Sequence, residues 1–267
     1  MAIIYKILKG WTMKKFAFYL GLSALVFTQG FANENFSQNY ESTLKNIVKN
    51  VEKFEIMSVD RLESIDGLNF VITNINGEMV PMFVSKDGKS VIGFSNLVFI
   101  GDDKDKILIE GRMDKLHADI KANQDKIAYE IIKEIPKDRF INIESFDKNN
   151  KFMTYIVSDP ECPDCREHLS KMVKYLRNAN VRIIFAPVHG KSAYTKSAIM
   201  LKEASKINPD NQEALIKLLN KYYDVNATVS DDQASDEERD RVLQDAKKLF
   251  SKGVIKGVPF SFTVEKE

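Results

Sequence analysis

Two cysteines occur in the 267-residue chain, three positions apart, as Cys162-Pro163-Asp164-Cys165. Such a pair suits one kind of chemistry. A thiolate attacks a disulfide sulfur, a mixed disulfide forms, and a second thiol close by resolves it. The pair follows a strand-like run, Phe152 to Val157, and opens a helix-like run, Arg166 to Leu176. A C-x-x-C at a strand-to-helix junction is the layout of a thioredoxin-type redox site. Cys162 then stands at a helix N-terminus, where unpaired N–H groups and the positive end of the helix dipole favour thiolate. Pro163 suits the first turn, because its missing N–H would have no helical partner there. Cys165, one turn later, is expected to be more buried. Cys162 is thus the candidate attacking thiol and Cys165 the resolving one, with Pro163 and Asp164 as tuning residues. Glu161 and Asp164 place negative charge near Cys162 and oppose thiolate formation, while Arg166 and His168 partly offset them. The expected disulfide is less strongly oxidising than one with a histidine between its cysteines.

A structural disulfide explains the pair poorly, since a bridge across three residues closes almost no loop and restrains the unfolded chain very little. Metal is the chemical rival. Tetrahedral zinc needs four ligands, usually a second pair. Only His117, His168 and His189 could join the cysteines, and none has a paired spacing. No bound cofactor is required for thiol exchange. With 39 basic against 38 acidic residues, nothing argues for a nucleic-acid partner.

The N-terminus reads as an export signal. Met13-Lys14-Lys15 is a positive n-region, Phe16 to Phe27 is a short apolar run, and Gly30-Phe31-Ala32 supplies small residues for cleavage after Ala32. The apolar run is shorter than the roughly 20 residues of a membrane-spanning helix. Residues 1–12 look like an upstream start, with Met13 as a second possible initiation site. Loss of residues 1–32 removes four lysines and no acids, which leaves 35 basic against 38 acidic residues. It also removes Trp11, the one tryptophan, so the exported protein is expected to show tyrosine fluorescence alone. Export means an oxidising compartment, where disulfide chemistry has substrates.

Three segments are expected to position the motif. The first, residues 33–110, opens with a helical stretch, Phe36 to Phe54, with Leu44, Ile47, Val48 and Val51 three and four apart. Strand-like pieces follow at Leu68–Ile75, Met79–Ser85, Ser90–Ile100 and Lys106–Glu110, with turn signals at Asn76-Gly77 and Asp87-Gly88 and a polar loop at 102–105. Such a small α+β unit buries a modest core and gains from pairing with a second copy. The second segment, residues 111–136, reads as a linker helix ended by Pro136, with an ordinary amphipathic helix of one of the domains as the equal alternative. The third, residues 137–267, runs strand, C-x-x-C helix, apolar strand (Val181–Val188), three helices (Ser192–Lys206, Gln212–Tyr223, Glu237–Ser251) and a last strand, Phe260–Val264. That order implies a βαβ unit with a parallel strand pair.

The chain resembles the periplasmic disulfide isomerases of the DsbC/DsbG family, over nearly all of its length after residue 32. Phe83 to Gly93 is similar to that family's dimerisation-domain hairpin, a strand, a D-G-K turn and a strand. Tyr155 to Cys165 is similar to its strand, aspartate and redox motif. Gly257-Val258-Pro259 resembles its cis-proline loop. The resemblance implies an α+β N-terminal dimerisation domain, a linker helix and a C-terminal α/β thioredoxin-like domain with a helical insertion. It implies a cis bond before Pro259 and a peptide-pairing role for Val258 and Pro259. It also implies a homodimer whose cleft holds misfolded or misoxidised exported proteins, and a membrane thiol reductase that recycles the site.

Three features depart from that pattern. Valine, not threonine, precedes Pro259, as in the oxidase DsbA. No further cysteine pair exists. The domain is expected to be C-terminally shortened, with eight residues after Pro259 where a thioredoxin fold continues through a strand and a helix; missing both exposes a strand edge and one apolar sheet face unless another element or the dimer partner covers them, and the remaining alternative is a truncated product. The leading expectation is a disulfide isomerase or reductase acting through Cys162 and Cys165. Beside it stand a net dithiol oxidase, a reductant for cytochrome c maturation, a metallochaperone, and a holding chaperone that binds unfolded chains without redox chemistry.

Overall fold

The structure is a computed structural model that describes residues 34–94 and 100–266. The expected export signal, residues 1–32, lies outside the described residues, as do residues 95–99 of the expected strand Ser90–Ile100. The chain divides into two compact units between Ile120 and Lys121.

In the first unit, helix α1 (Glu34–Ile47) carries Phe36, Tyr40 and Leu44 at spacings of four, and these are its buried residues. The apolar pattern extends toward Phe54, yet the helix stops at Ile47. Asn50 takes a φ of 65°, which asparagine tolerates, and Phe54 opens strand β1 (Phe54–Arg61) instead. β2 (Leu68–Ile75), β3 (Glu78–Ser85) and β4 (Val91–Gly93) complete an antiparallel meander in the order β1-β2-β3-β4. Asn76 and Gly77, at φ 55° and 94°, form the two-residue turn between β2 and β3, whose left-handed pair matches the twist of the strands.

The period of two along β2 sends its side chains to two cores. Val71 packs with Phe36, Tyr40 and Leu44 of α1, and the Tyr40 and Thr73 hydroxyls meet at 2.7 Å on that side. Phe70 and Ile72 face the other way, against Ile109 and Leu116 of helix α2 (Asp103–Lys133). This corrects the strand expected at Lys106–Glu110. Alternation in that stretch puts Ile107 and Ile109 on one side of a strand, whereas on a helix they point apart. Ile109 is buried and Ile107 is 71% exposed. The polar residues before them start the helix rather than a loop. The Asp102 carboxylate accepts from the N–H groups of Lys104 and Asp105 at 2.9 and 3.1 Å, and the Asp105 carboxylate holds the N–H groups of Glu63 and Ser64.

The second unit is built on β5 (Ile141–Ile143), β6 (Phe152–Ser158), β7 (Asn180–Phe185) and β8 (Phe260–Glu265), in the order β5-β7-β6-β8. β6 and β7 are parallel, as the strand–helix–strand order requires, and β5 and β8 flank them antiparallel. Between β6 and β7 lie α3 (Pro163–Ser170) and α4 (Met172–Asn178), two helices with a break at Lys171 where the sequence suggests one. Leu169, Met172 and Leu176 are buried, but the break turns Val173 outward, 45% exposed. Helices α5 (Lys191–Ala204), α6 (Gln212–Tyr223) and α7 (Asp236–Phe250) form the insertion between β7 and β8. The architecture is therefore an α+β unit, a long helix and an α/β thioredoxin-like unit with a helical insertion.

The sheet of the second unit is covered on both faces. Ile156, Val181 and Ile183 pack against α3, α5 and α6. Tyr155, Val157, Ile184 and Phe262 pack against Ala128, Ile131 and Ile132 of α2 and Ala246 and Leu249 of α7. That apolar face is covered by other elements of the chain, the C-terminal part of α2 together with α7, and Phe262 of β8 is 4% exposed. Among the described residues, no helix is long and apolar enough to cross a membrane.

The D-G-K hairpin of the first unit gives the sharpest test of its packing. Gly88 has φ +76°, and a Cβ there would stand 2.5 Å from the Phe36 carbonyl oxygen and 2.9 Å from Tyr40 N on α1. Gly88→Ala is expected to lower stability by about 2 kcal/mol or more, from a left-handed backbone and a backbone clash together. A urea-unfolding midpoint equal to that of the unchanged protein would contradict this packing.

Candidate active site

β6 delivers the chain to the redox motif through one residue. Asp159 follows Ser158 directly and is fully buried. Its carboxylate accepts from the N–H groups of Glu161 (2.8 Å), Val188 (2.8 Å) and His189 (3.2 Å), and pairs with His189 Nδ1 at 2.7 Å. Its own carbonyl accepts from the Cys162 N–H at 3.2 Å. A buried carboxylate holds its place only when several donors meet it. Here those donors come from the motif loop and from the loop after β7, so one side chain ties the two together.

Cys162 is the N-cap of α3 and Pro163 its first residue, as the motif predicts. Asp164 lies exposed in the first turn. The bond between Val258 and Pro259 is cis, and the Val258 carbonyl lies 3.8 Å from Cys162 Sγ, close enough to accept from the thiol. The structure therefore brings together all six residues singled out from the sequence: the two cysteines, the two residues between them, Val258 and Pro259. Both cysteines are free thiols and both are buried, Cys162 at 7% and Cys165 at 1% exposure. Burial pushes the Cys165 thiol up to about 12, while the Asp159 N–H, 3.4 Å from its sulfur, and the Ser158 hydroxyl pull the other way.

The charges around the motif differ from the sequence expectation. Glu161 does not face Cys162 unopposed, because Lys196 of α5 reaches it at 3.0 Å from a buried position. His168 is engaged elsewhere. Its ring meets the Tyr175 hydroxyl at 2.7 Å and Ser261 Oγ at 3.3 Å, and burial lowers its pKa. Lys196, Ser158 and Tyr223 are site residues that sequence reasoning missed. Asp159 carried a signal, an aspartate three residues before Cys162. Lys196 and Tyr223 carried none, since they reach the motif only through the fold. Among the described residues, no group of three histidine, cysteine or acidic side chains is placed to hold a metal ion.

The family model for the N-terminal region of disulfide isomerase DsbG matches residues 40–128. DsbG from Helicobacter pylori is 30% identical, over 85% of this chain and 100% of that one, with a TM-score of 0.48. A periplasmic thioredoxin-like protein from Salmonella enterica serovar Typhimurium is 18% identical, covering 50% of this chain and 83% of that one, TM-score 0.39. A linker-deletion mutant of ScsC from Proteus mirabilis is 18% identical, covering 63% and 88%, TM-score 0.41. No curated protein matches the chain significantly.

The Lys196–Glu161 pair makes a direct test of the site's electrostatics. Lys196→Met leaves a partly buried carboxylate unpaired beside Cys162 and is expected to cost about 3 kcal/mol of stability. Adding Glu161→Gln should recover part of that loss, because no charge is then stranded. Equal denaturation midpoints for Lys196→Met and the unchanged protein would contradict the pairing.

Proposed function

The chain belongs to the DsbG family of disulfide isomerases, enzymes that act on disulfides, and on that premise we propose that it isomerises or reduces misoxidised exported proteins in the periplasm. The observation that carries this reading is the meeting of Cys162, at the N-terminus of α3, with the carbonyl before the cis Pro259, while Cys165 lies buried one turn behind. Cys162 Sγ is the attacking atom. Its thiolate forms a bond to one sulfur of a substrate disulfide, and the other substrate sulfur leaves with the electron pair. The mixed disulfide then has two exits. A different substrate thiolate can attack and release Cys162 with a new pairing, which is isomerisation. Alternatively Cys165 attacks Cys162 Sγ and releases a reduced substrate, which leaves the Cys162–Cys165 disulfide to be reduced again. Val258 and Pro259 border the sulfur where an extended peptide would lie. Pro163 and Asp164 tune the thiol from the first turn of α3.

The remaining assignments belong to the same proposal. Residues 1–32 are an export signal, 33–110 a dimerisation domain that takes in the first turns of α2, 111–136 the linker that holds the rest of that helix, and 137–267 the catalytic domain. The working form is a homodimer, its substrates are misfolded or misoxidised exported proteins, and a membrane thiol reductase returns Cys162 and Cys165 to the dithiol. The second reading is a net oxidase, favoured by the valine before Pro259; a site found oxidised in its compartment would support it.

The deciding assay is recovery of ribonuclease activity from the scrambled, mispaired enzyme in glutathione buffer. The protein is expected to accelerate recovery, and Cys162→Ser to abolish the acceleration. A folded protein that gives no acceleration would overturn isomerisation. Acceleration that survives Cys162→Ser would point instead to a holding chaperone.

A further inference from the structure

Tyr223 is a buried hydroxyl that the reaction outlined above leaves unused. It is the last residue of α6, and its O–H donates to Ser158 Oγ, at the end of β6, at 2.7 Å. Both residues and Cys165 are buried, at 3%, 1% and 1% exposure. A serine oxygen that accepts from a phenol keeps its own proton to give, and the Ser158 hydroxyl is among the groups that pull the Cys165 thiol down against burial. The Asp159 N–H reaches the same sulfur at 3.4 Å. The direction of the chain is fixed at its far end. Burial, opposed only in part by the bond to Ser158, holds the Tyr223 phenol well above its ordinary value, so it remains a donor.

We infer that Ser158 and Tyr223 are positioning residues for Cys165, an oriented hydroxyl chain that works with the Asp159 N–H to hold negative charge on the Cys165 sulfur. The inference rests on Cys162 as the attacking thiol and Cys165 as the resolving one. In the resolving step the Cys165 sulfur attacks Cys162 Sγ. The Cys162–Cys165 bond forms, the bond from Cys162 to the substrate sulfur breaks, and the substrate sulfur leaves with the electron pair. The released substrate thiol takes up a proton in exchange for the one Cys165 has lost. In reverse, a substrate thiolate attacks Cys162 Sγ and Cys165 leaves with the pair. Both directions put charge on a sulfur that burial would otherwise keep neutral. Donors aimed at it before the step need no rearrangement when the charge arrives.

A buried serine–tyrosine pair could instead be plain structure, two polar groups satisfying each other. Kinetics separate these cases. The chain has two cysteines in all, so an aromatic disulfide that releases a coloured thiolate reports both in turn. The first release marks the mixed disulfide at Cys162, and the second marks its resolution by Cys165. Stopped-flow traces of the full chain across a range of pH give both rates, with Cys162 and Tyr223 as the ionisable groups coupled to Cys165 and the Asp159 carboxylate acting on Tyr223. Ser158→Ala is expected to slow the second release about tenfold, the loss of one hydrogen bond to a charged acceptor. It should also move the pH of half-maximal rate upward. Tyr223→Phe keeps the ring and should slow the second release roughly threefold, as a donor one bond removed. It serves as the second probe if Ser158→Ala does not fold. A second release with unchanged rate and pH dependence in the folded variants would overturn the chain's role. Absence of any second release from the unchanged protein, or its persistence in Cys165→Ser, would overturn the two-cysteine reading itself.

Discussion

The redox site hangs on the Asp159 carboxylate. It accepts from the motif loop at Glu161 and from the loop after β7 at Val188 and His189, and it does so fully buried. Its backbone completes the arrangement, with the carbonyl accepting from Cys162 N and the N–H directed at the Cys165 sulfur. Six contacts from one residue, the His189 ring included, decide where the helix bearing Cys162 begins and how deep Cys165 lies. A neutral or smaller residue there would leave buried N–H groups without partners, each costing about 1–3 kcal/mol.

That staple works because the sheet brings its partners to one end. β6 and β7 run parallel, with Ser158 beside Phe185, so both strands finish at the same edge and their loops lie side by side. β8 runs antiparallel to β6, with Phe260 paired to Val157, and so starts where β6 finishes. This register sets the cis Val258–Pro259 bond against Cys162. The cores on either face of the sheet hold the strands in register, since a slip of one residue would exchange Ile156 with Val157 between them. Chemistry at the edge therefore depends on packing well away from it.

Much of this was legible in the sequence where the signals are local. The C-x-x-C spacing, the proline at the first helical position and the short valine-proline step before the last strand each mark a defined backbone event, and the structure brings them within reach of one sulfur. The helices of the insertion end within two residues of expectation. Failures arose where local pattern and tertiary packing disagree. Phe54 continued a helical spacing but lies in a strand, because Asn50 turns the chain first. The run 106–110 alternated like a strand but lies in a helix, because the carboxylates of Asp102 and Asp105 fix the helix start and only Ile109 has a core to enter. The charge balance at Cys162 was misjudged for a similar reason. Lys196 lies 35 positions beyond Glu161, and no spacing rule links a residue of α5 to the motif loop.

A buried second thiol raised by its surroundings lies beside a first thiol at a helix N-terminus, and the proposed mechanism divides attack and resolution between them. The division predicts an intermediate that can be caught. The most direct measurement is non-reducing electrophoresis of Cys165→Ser expressed in a bacterial periplasm. The account predicts covalent adducts with exported proteins, lost on reduction and absent when Cys162→Ser is added. No adducts from a folded, exported protein, or adducts that persist without Cys162, would contradict it.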